Sequence, residues 1–141
     1  MGKKKTPVKV VLDTNVIVSS ILFGGRLAPI VSMWEKKKII PFLSRETFEE
    51  LRRVLEYPKF SLTSDETHCI LYDKIVPFFE IVKLYDYVSG ISSDPDDDIF
   101  LSVALAAGAD YLVSGDSHLL SIGEYRNVAV ITPSKFLLKL T

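Results

Sequence analysis

The sequence predicts an α/β fold, a three-layer α/β/α sandwich around a central, mostly parallel sheet. Two observations carry that expectation. Short apolar runs ended by turn residues alternate with stretches of helical character, and several of those stretches carry their own start and stop signals. The runs "VKVVLD" (Val8–Asp13) and "DYLVSGD" (Asp110–Asp116) are apolar at successive positions, as strands covered on both faces require. "IIPFL" (Ile39–Leu43) and "VAVIT" (Val128–Thr132) read the same way, and "EIVKLY" (Glu80–Tyr85) is a weaker fifth strand.

Helices fall in the gaps. "NVIVSSILF" follows the first strand, and "APIVSMWEKKK" follows the Gly24–Gly25 break. Ser44 is placed to cap "RETFEELRRVLEY", which has to stop before Pro58. Thr63 and Glu66 have the spacing of a capping box, and Pro77 kinks or ends the helix they begin. Thr132 followed by Pro133 starts the last helix, "SKFLLKL".

A chain of 141 residues with 48% apolar and 25% charged positions is expected to form one globular domain spanning 1–141, with residues 1–7 as a basic tail. A chain of this size buries roughly 68–70% of its unfolded surface, enough for a core without staples. The single cysteine, Cys69, excludes an internal disulfide framework and suits a reducing, cytoplasmic setting. No apolar run reaches the ~20 residues of a membrane span, so no membrane partner is expected. Asp13 interrupts the apolar segment behind the basic start, which argues against a signal peptide.

The stretch "SSDPDDDIFLSVALAAGADYLVSGD" (Ser92–Asp116) sets acids against a segment that must be buried. Asp94 suits an N-cap, Pro95 the first helical position, and Asp96 and Asp97 the positive end of the helix dipole. Asp98 is different. At 100° per residue it shares a face with Ser102 and Ala106, while apolar residues fill the remainder of the helix. A carboxylate at the lip of a buried helix, above small side chains, needs a cation or hydrogen-bond donors.

Asp13 and Asp116 each end a predicted buried strand, where open α/β sheets bind ligands. On the helix after Ser44, Glu50 lies about 100° from the middle of the apolar stripe, whereas Glu46 and Glu49 lie roughly 140–160° away. Glu50 is therefore the acid best placed to lean over the sheet edge, and Glu46 and Glu49 face solvent, beside Arg45 and Arg53. Two carboxylates about 5 Å apart repel by roughly 3 kcal/mol at an effective dielectric of ~20. Acids that converge in one cleft therefore call for a hard divalent cation. The chain has no Gly-x-Ser-x-Gly elbow and no phosphate-binding Gly-Lys-Ser/Thr loop. "DTN" also lacks the second aspartate that a phospho-aspartate phosphatase carries two positions on.

"VVLDTNVIVS", "LSRETFEELRRVL", "DPDDDIFLSVALAAGADYLVSGD" and "ITPSKFLL", in that order, resemble the PIN-domain ribonucleases, in particular the toxin-like members of prokaryotic toxin–antitoxin pairs. The resemblance runs from Val8 to about Leu138. It implies an acidic quartet of Asp13, Glu50, Asp98 and Asp116, which would hold Mg²⁺ or Mn²⁺ and carry catalysis, supported by Asn15 and Ser114. It implies endonucleolytic cleavage of RNA by metal-activated water, an antitoxin partner and a homodimer. Two positions depart from the pattern: His118 stands where many toxin-like relatives have a further aspartate, and Gly115 where an arginine is frequent.

An acidic cleft repels RNA, so a basic rim is required; Arg52, Arg45, Lys36, Lys37 and Lys38 are the candidates, with Arg26 beyond them. A net charge of −1 predicts modest, salt-sensitive affinity. The alternative is a catalytically silent PIN-like module that binds RNA or protein. The aromatic-rich "KIVPFFEIVKLYDYV" is expected to be either core or a partner surface.

Overall fold

The computed structural model describes residues 7–140, so the basic run Lys3–Lys5 lies outside the described residues. It contains a six-stranded sheet with helices on both faces. In chain order the elements are β1 (Val8–Leu12), α1 (Thr14–Leu22), α2 (Ala28–Glu35), β2 (Ile39–Ser44), α3 (Arg45–Leu55), α4 (Ser64–Cys69), β3 (Glu80–Val82), α5 (Asp98–Ala107), β4 (Tyr111–Val113), α6 (Ser117–Leu120), β5 (Glu124–Tyr125), β6 (Val128–Ile131) and α7 (Pro133–Leu140). The strand order is β3-β2-β1-β4-β6-β5, parallel throughout except for β5 against β6.

The central strands earn their places by burial on both sides. Val10 and Leu12 of β1 enter one core cluster with α1, α2, α3 and α7, while Val11 enters the other with α5 and α6. β4 divides likewise, with Val113 on the first side and Leu112 on the second. Trp34 is the largest side chain fully buried in the first cluster, and its indole N–H donates to the Lys74 carbonyl at 3.1 Å. The second cluster is built on Phe100, Leu101, Val103 and Ala104 of α5, which packs on β1, β2 and β4.

Local signals behave largely as expected. Ser44 caps α3 by accepting the Thr47 N–H, with the Thr47 hydroxyl answering the Ser44 N–H. Thr63 and Glu66 form the capping box of α4. That helix continues as a π-helical turn, Ile70–Ile75, and ends ahead of Pro77. The "DPDDD" run departs from a simple helix start. Asp94 accepts the Asp96 N–H, Pro95–Asp97 form a 3₁₀ turn, and α5 proper begins at Asp98. The aromatic-rich segment is half core and half surface: Ile75, Phe79 and Leu84 are buried, while Val76, Ile81, Tyr85 and Tyr87 are exposed.

No single described helix is long and apolar enough to cross a membrane.

β1 is flanked by β2 on one side and β4 on the other, so the chain's direction of travel across the sheet reverses there. The crevice outside the carboxyl ends of β1 and β4 is the topological switch point. Leu101, fully buried beneath that crevice, seats α5 on the sheet. Leu101→Ala should lower stability by about 2–5 kcal/mol in urea unfolding; an unchanged midpoint would mean that α5 does not rest on this contact.

Candidate acidic cation site

Asp13 follows β1 directly and is buried, with 6% of its surface exposed. Its N–H donates to the Val113 carbonyl at 3.1 Å, which ties it to the end of β4. One carboxylate oxygen caps α1 by accepting the Val16 N–H at 2.9 Å, and the other accepts the Ser114 hydroxyl. Burial raises the Asp13 carboxyl above its ordinary value, the bonds from Ser114 and Val16 oppose that, and the charges of Asp116 and Glu50 add to it.

Ser114 is fully buried and works in two directions. Its hydroxyl donates to Asp13, and the same oxygen accepts the Asp116 N–H at 2.9 Å. Asp116 then caps α6, accepting the His118 N–H at 2.7 Å and the Leu119 N–H at 3.4 Å. Glu50, one strand across on α3, accepts the hydroxyl of the buried Thr14. The structure thus brings Asp13, Glu50 and Asp116 together at the carboxyl edge, with Ser114 between two of them.

Asp98 does not join them. Its buried carboxylate accepts the Ser92 N–H at 2.7 Å and points to the 85–92 loop. One turn on, the Ser102 hydroxyl oxygen accepts the Val88 N–H at 2.9 Å. The strip of small side chains below Asp98 is where this loop docks, and the Ser92 N–H supplies the acid with a hydrogen-bond donor.

Its neighbour Asp97 faces the crevice instead. Carboxylate oxygens of Asp97 and Asp116 and a ring nitrogen of His118 all lie within 4.8 Å of one another. Asp97 Oδ2 is buried with no hydrogen-bond partner among the described residues. Burial first, then the charges of Asp116, Asp94 and Asp13, push the Asp97 carboxyl up to about 6, with His118 opposing. A signal for Asp97 is present in the sequence. It lies four and seven residues before Leu101 and Ala104, both buried at 0% exposure, so it heads the face of α5 that rests on the sheet. Extended one turn back, that face meets the sheet's carboxyl edge.

The polar and basic candidates divide as well. Asn15 is exposed on α1, and its neighbour Thr14 makes the contact to Glu50. Lys36, Lys37 and Lys38 precede β2, whose first residue pairs with Val8 at the start of β1. They stand at the amino edge, a strand's length of roughly 16 Å from the acids, and do not rim the crevice. Arg52 is held by Glu49 at 2.7 Å and approaches Glu56 at 3.7 Å, a pairing on the outer face of α3. Arg45 lines an apolar cavity with Phe48, Val76 and Ile81. Among the described residues, Arg53 is a basic residue that borders Glu50, exposed in a shallow cavity of about 340 Å³ shared with Glu50, Glu46 and Asp96.

Carboxylates gathered at the switch point of a parallel α/β sheet, with one buried oxygen left unbonded, suit a hard divalent cation. The fold and the sequence agree on the family. The chain belongs to the PIN-domain family, whose model matches residues 9–118. Solved structures share the fold at low identity. PAE2754 from Pyrobaculum aerophilum is 17% identical with a TM-score of 0.62, over 94% of this chain and 89% of that one. VapBC2 from Rickettsia felis, bound to a DNA fragment from its promoter, is 16% identical with a TM-score of 0.60, over 89% and 98%. FitAcB from Neisseria gonorrhoeae is 21% identical with a TM-score of 0.60, over 89% and 98%. No curated relative matches the chain in sequence.

The raised Asp97 carboxyl makes the chelated protein pH-sensitive. The folded state holds this proton up to about 6, against an ordinary value of 3.8. Between those values the folded state binds more protons than the unfolded one, so its stability falls as pH rises. In EDTA the melting temperature should therefore be higher at pH 5 than at pH 7, and Mg²⁺ or Mn²⁺ at pH 7 should restore it. Asp97→Asn should flatten the profile; a profile equally steep in that variant would assign it to other groups.

Proposed function

We propose that this chain is an endoribonuclease that hydrolyses RNA phosphodiesters with Mg²⁺ or Mn²⁺, and that it is the toxin of a toxin–antitoxin pair. PIN domains are generally nucleases that use divalent metals, which supports the reaction class. The observation that carries the reading is the unpartnered Asp97 oxygen facing Asp116 and His118, next to the buried Asp13. Asp13, Asp97 and Asp116 are the ligands proposed for the cation, with His118 at the position where toxin-like relatives carry a further acid. When bound, such an ion neutralises charge on the phosphodiester and lowers the pKa of an attacking water.

The chain's own groups do the remaining work. Ser114 fixes the orientation of Asp13 and, through its bond from the Asp116 N–H, the start of α6. Thr14 orients Glu50, which is placed to accept a proton from water. Arg53 supplies a positive charge beside Glu50 for a substrate phosphate.

An antitoxin partner fits the exposed apolar edge formed by Val76 and Ile81, with Arg45 at its lip. The related fold in VapBC2, which is bound to promoter DNA, supports a paired protein of the same kind.

The test is cleavage of a mixed single-stranded RNA in Mn²⁺, Mg²⁺ or EDTA. Asp13→Asn, Asp97→Asn and Asp116→Asn should each lower the rate by at least about 100-fold. Asp98→Asn should stay within a few-fold of wild type, because an amide oxygen still accepts the Ser92 N–H. The reverse outcome for positions 97 and 98 would overturn the ligand assignment. No cutting by a folded wild type that still binds metal would leave a silent binding module. Ser114→Ala, which frees two carboxylate-bearing segments at once, should cost roughly 10–100-fold in metal affinity by titration calorimetry.

A further inference from the structure

Away from the acids, a cavity of about 710 Å³ lies between the 83–91 segment, the outer face of α5 and the β5–β6 turn. Its walls combine aromatic rings with cations. Tyr85 is 79% exposed and Tyr87 56% exposed, large rings left in water on the same loop. Lys83 stands 5.4 Å from the Tyr85 ring centre, and Arg126 stands 5.1 Å from the Tyr125 ring centre. Two cations thus line the cavity against one acid, Asp86, in a chain whose net charge is −1.

Arg126 also occupies an unfavourable place. Tyr125 pairs with Val128, so Arg126 and Asn127 form a two-residue hairpin loop, with φ of 46° and 71°. Such loops favour glycine or asparagine at both positions, because a side chain strains the left-handed backbone. What an arginine adds there is its guanidinium, laid over Tyr125 and into the cavity.

Tyr87 links the cavity to α3. That residue lines the cavity, and its hydroxyl donates to Glu46, which borders the shallow cavity holding Glu50 and Arg53. The loop is anchored from below by the Val88 N–H on Ser102 and the Ser92 N–H on Asp98. Exposed rings on an anchored loop, flanked by cations and one hydrogen bond away from the cavity that holds Glu50 and Arg53, match what unpaired bases and their phosphates require. A duplex offers no free base faces to such rings.

We propose that this cavity is a base-stacking subsite that holds unpaired nucleotides of the RNA beside the scissile bond. The inference rests on the nuclease reading for the identity of the strand, and its location rests on the cavity alone.

The test is fluorescence-anisotropy binding of a labelled oligouridylate, and of an RNA duplex of equal length, with EDTA present so that nothing is cut. The single strand should bind more tightly than the duplex. Tyr85→Ala and Arg126→Gly should each weaken single-strand binding by about 5- to 150-fold, the range of one base stack. Arg126→Gly should melt no lower than wild type, since glycine relieves the turn, so its loss of binding cannot be unfolding. Lys83→Ala should reduce the salt slope of binding by about 0.7.

Wild-type affinity in both Tyr85→Ala and Arg126→Gly, or equal affinity for duplex and single strand, overturns the subsite. A changed oligomeric state in those variants with unchanged RNA affinity also overturns it and makes the surface a protein contact. A wild type that holds the strand but never cuts it in Mn²⁺ or Mg²⁺ sinks the nuclease reading and leaves the subsite standing.

Discussion

One buried carboxylate, Asp13, sets the constraint that the carboxyl edge has to meet. It sits where β1 hands over to α1, so its backbone is fixed by the sheet and its side chain by the helix start. Burial disfavours its charge, and neighbouring acids disfavour it further. Two fixed donors, the Val16 N–H and the Ser114 hydroxyl, hold that charge in place. These donors offset part of the cost of the buried charge, and the cluster around it remains electrostatically tense.

Asp13, Asp94 and Asp116 each serve twice: every one accepts backbone N–H groups at a helix or turn start, and every one adds charge to the crevice. Capping explains why carboxylates can be gathered here without unravelling the local fold, since each stabilises the segment it begins. Asp97 is the exception. Its helix start is capped by no side-chain bond, and one of its oxygens is buried without a partner among the described residues. Its carboxyl is correspondingly the one pushed up to about 6. The strain of the cluster is concentrated at the position best placed to be relieved by a positive ion.

Positive charge is distributed so as not to cancel the acids. Arg52 is occupied by Glu49 and Glu56 on the outer face of α3, and Lys36–Lys38 stand at the far edge of the sheet. Arg53, Lys83 and Arg126 remain along a path that leads from Glu50 past Tyr87. Such a layout leaves the charge of the crevice uncancelled and sets positive charge beside it. The fold that produces this layout recurs at 16–21% identity over most of the chain, so few of the residues that build the sandwich need be shared.

How much of this was legible in the sequence follows from the range over which each residue acts. The α/β class, the strand ends bearing Asp13 and Asp116, the cap at Ser44, the capping box at Thr63, and Glu50 as the acid leaning inward all depend on local periodicity and near neighbours, and the structure agrees with each. The choice between Asp97 and Asp98 did not. Both are acids at the start of one helix, separated by 100° of rotation or by more in a 3₁₀ turn. What separates them is tertiary: the 85–92 loop supplies the Ser92 N–H to Asp98, while the sheet edge brings Asp116 and Asp13 to Asp97. The same holds for the basic residues, whose charge is plain in the chain but whose distance from the acids depends on which edge of the sheet they reach. The sequence by itself determined the family, the sandwich and the gathering of carboxylates at the switch point, because those rest on patterns within a few residues. Only the tertiary structure decided which carboxylate lacks a partner and which rings and cations flank the site, because those depend on segments brought together across the sheet.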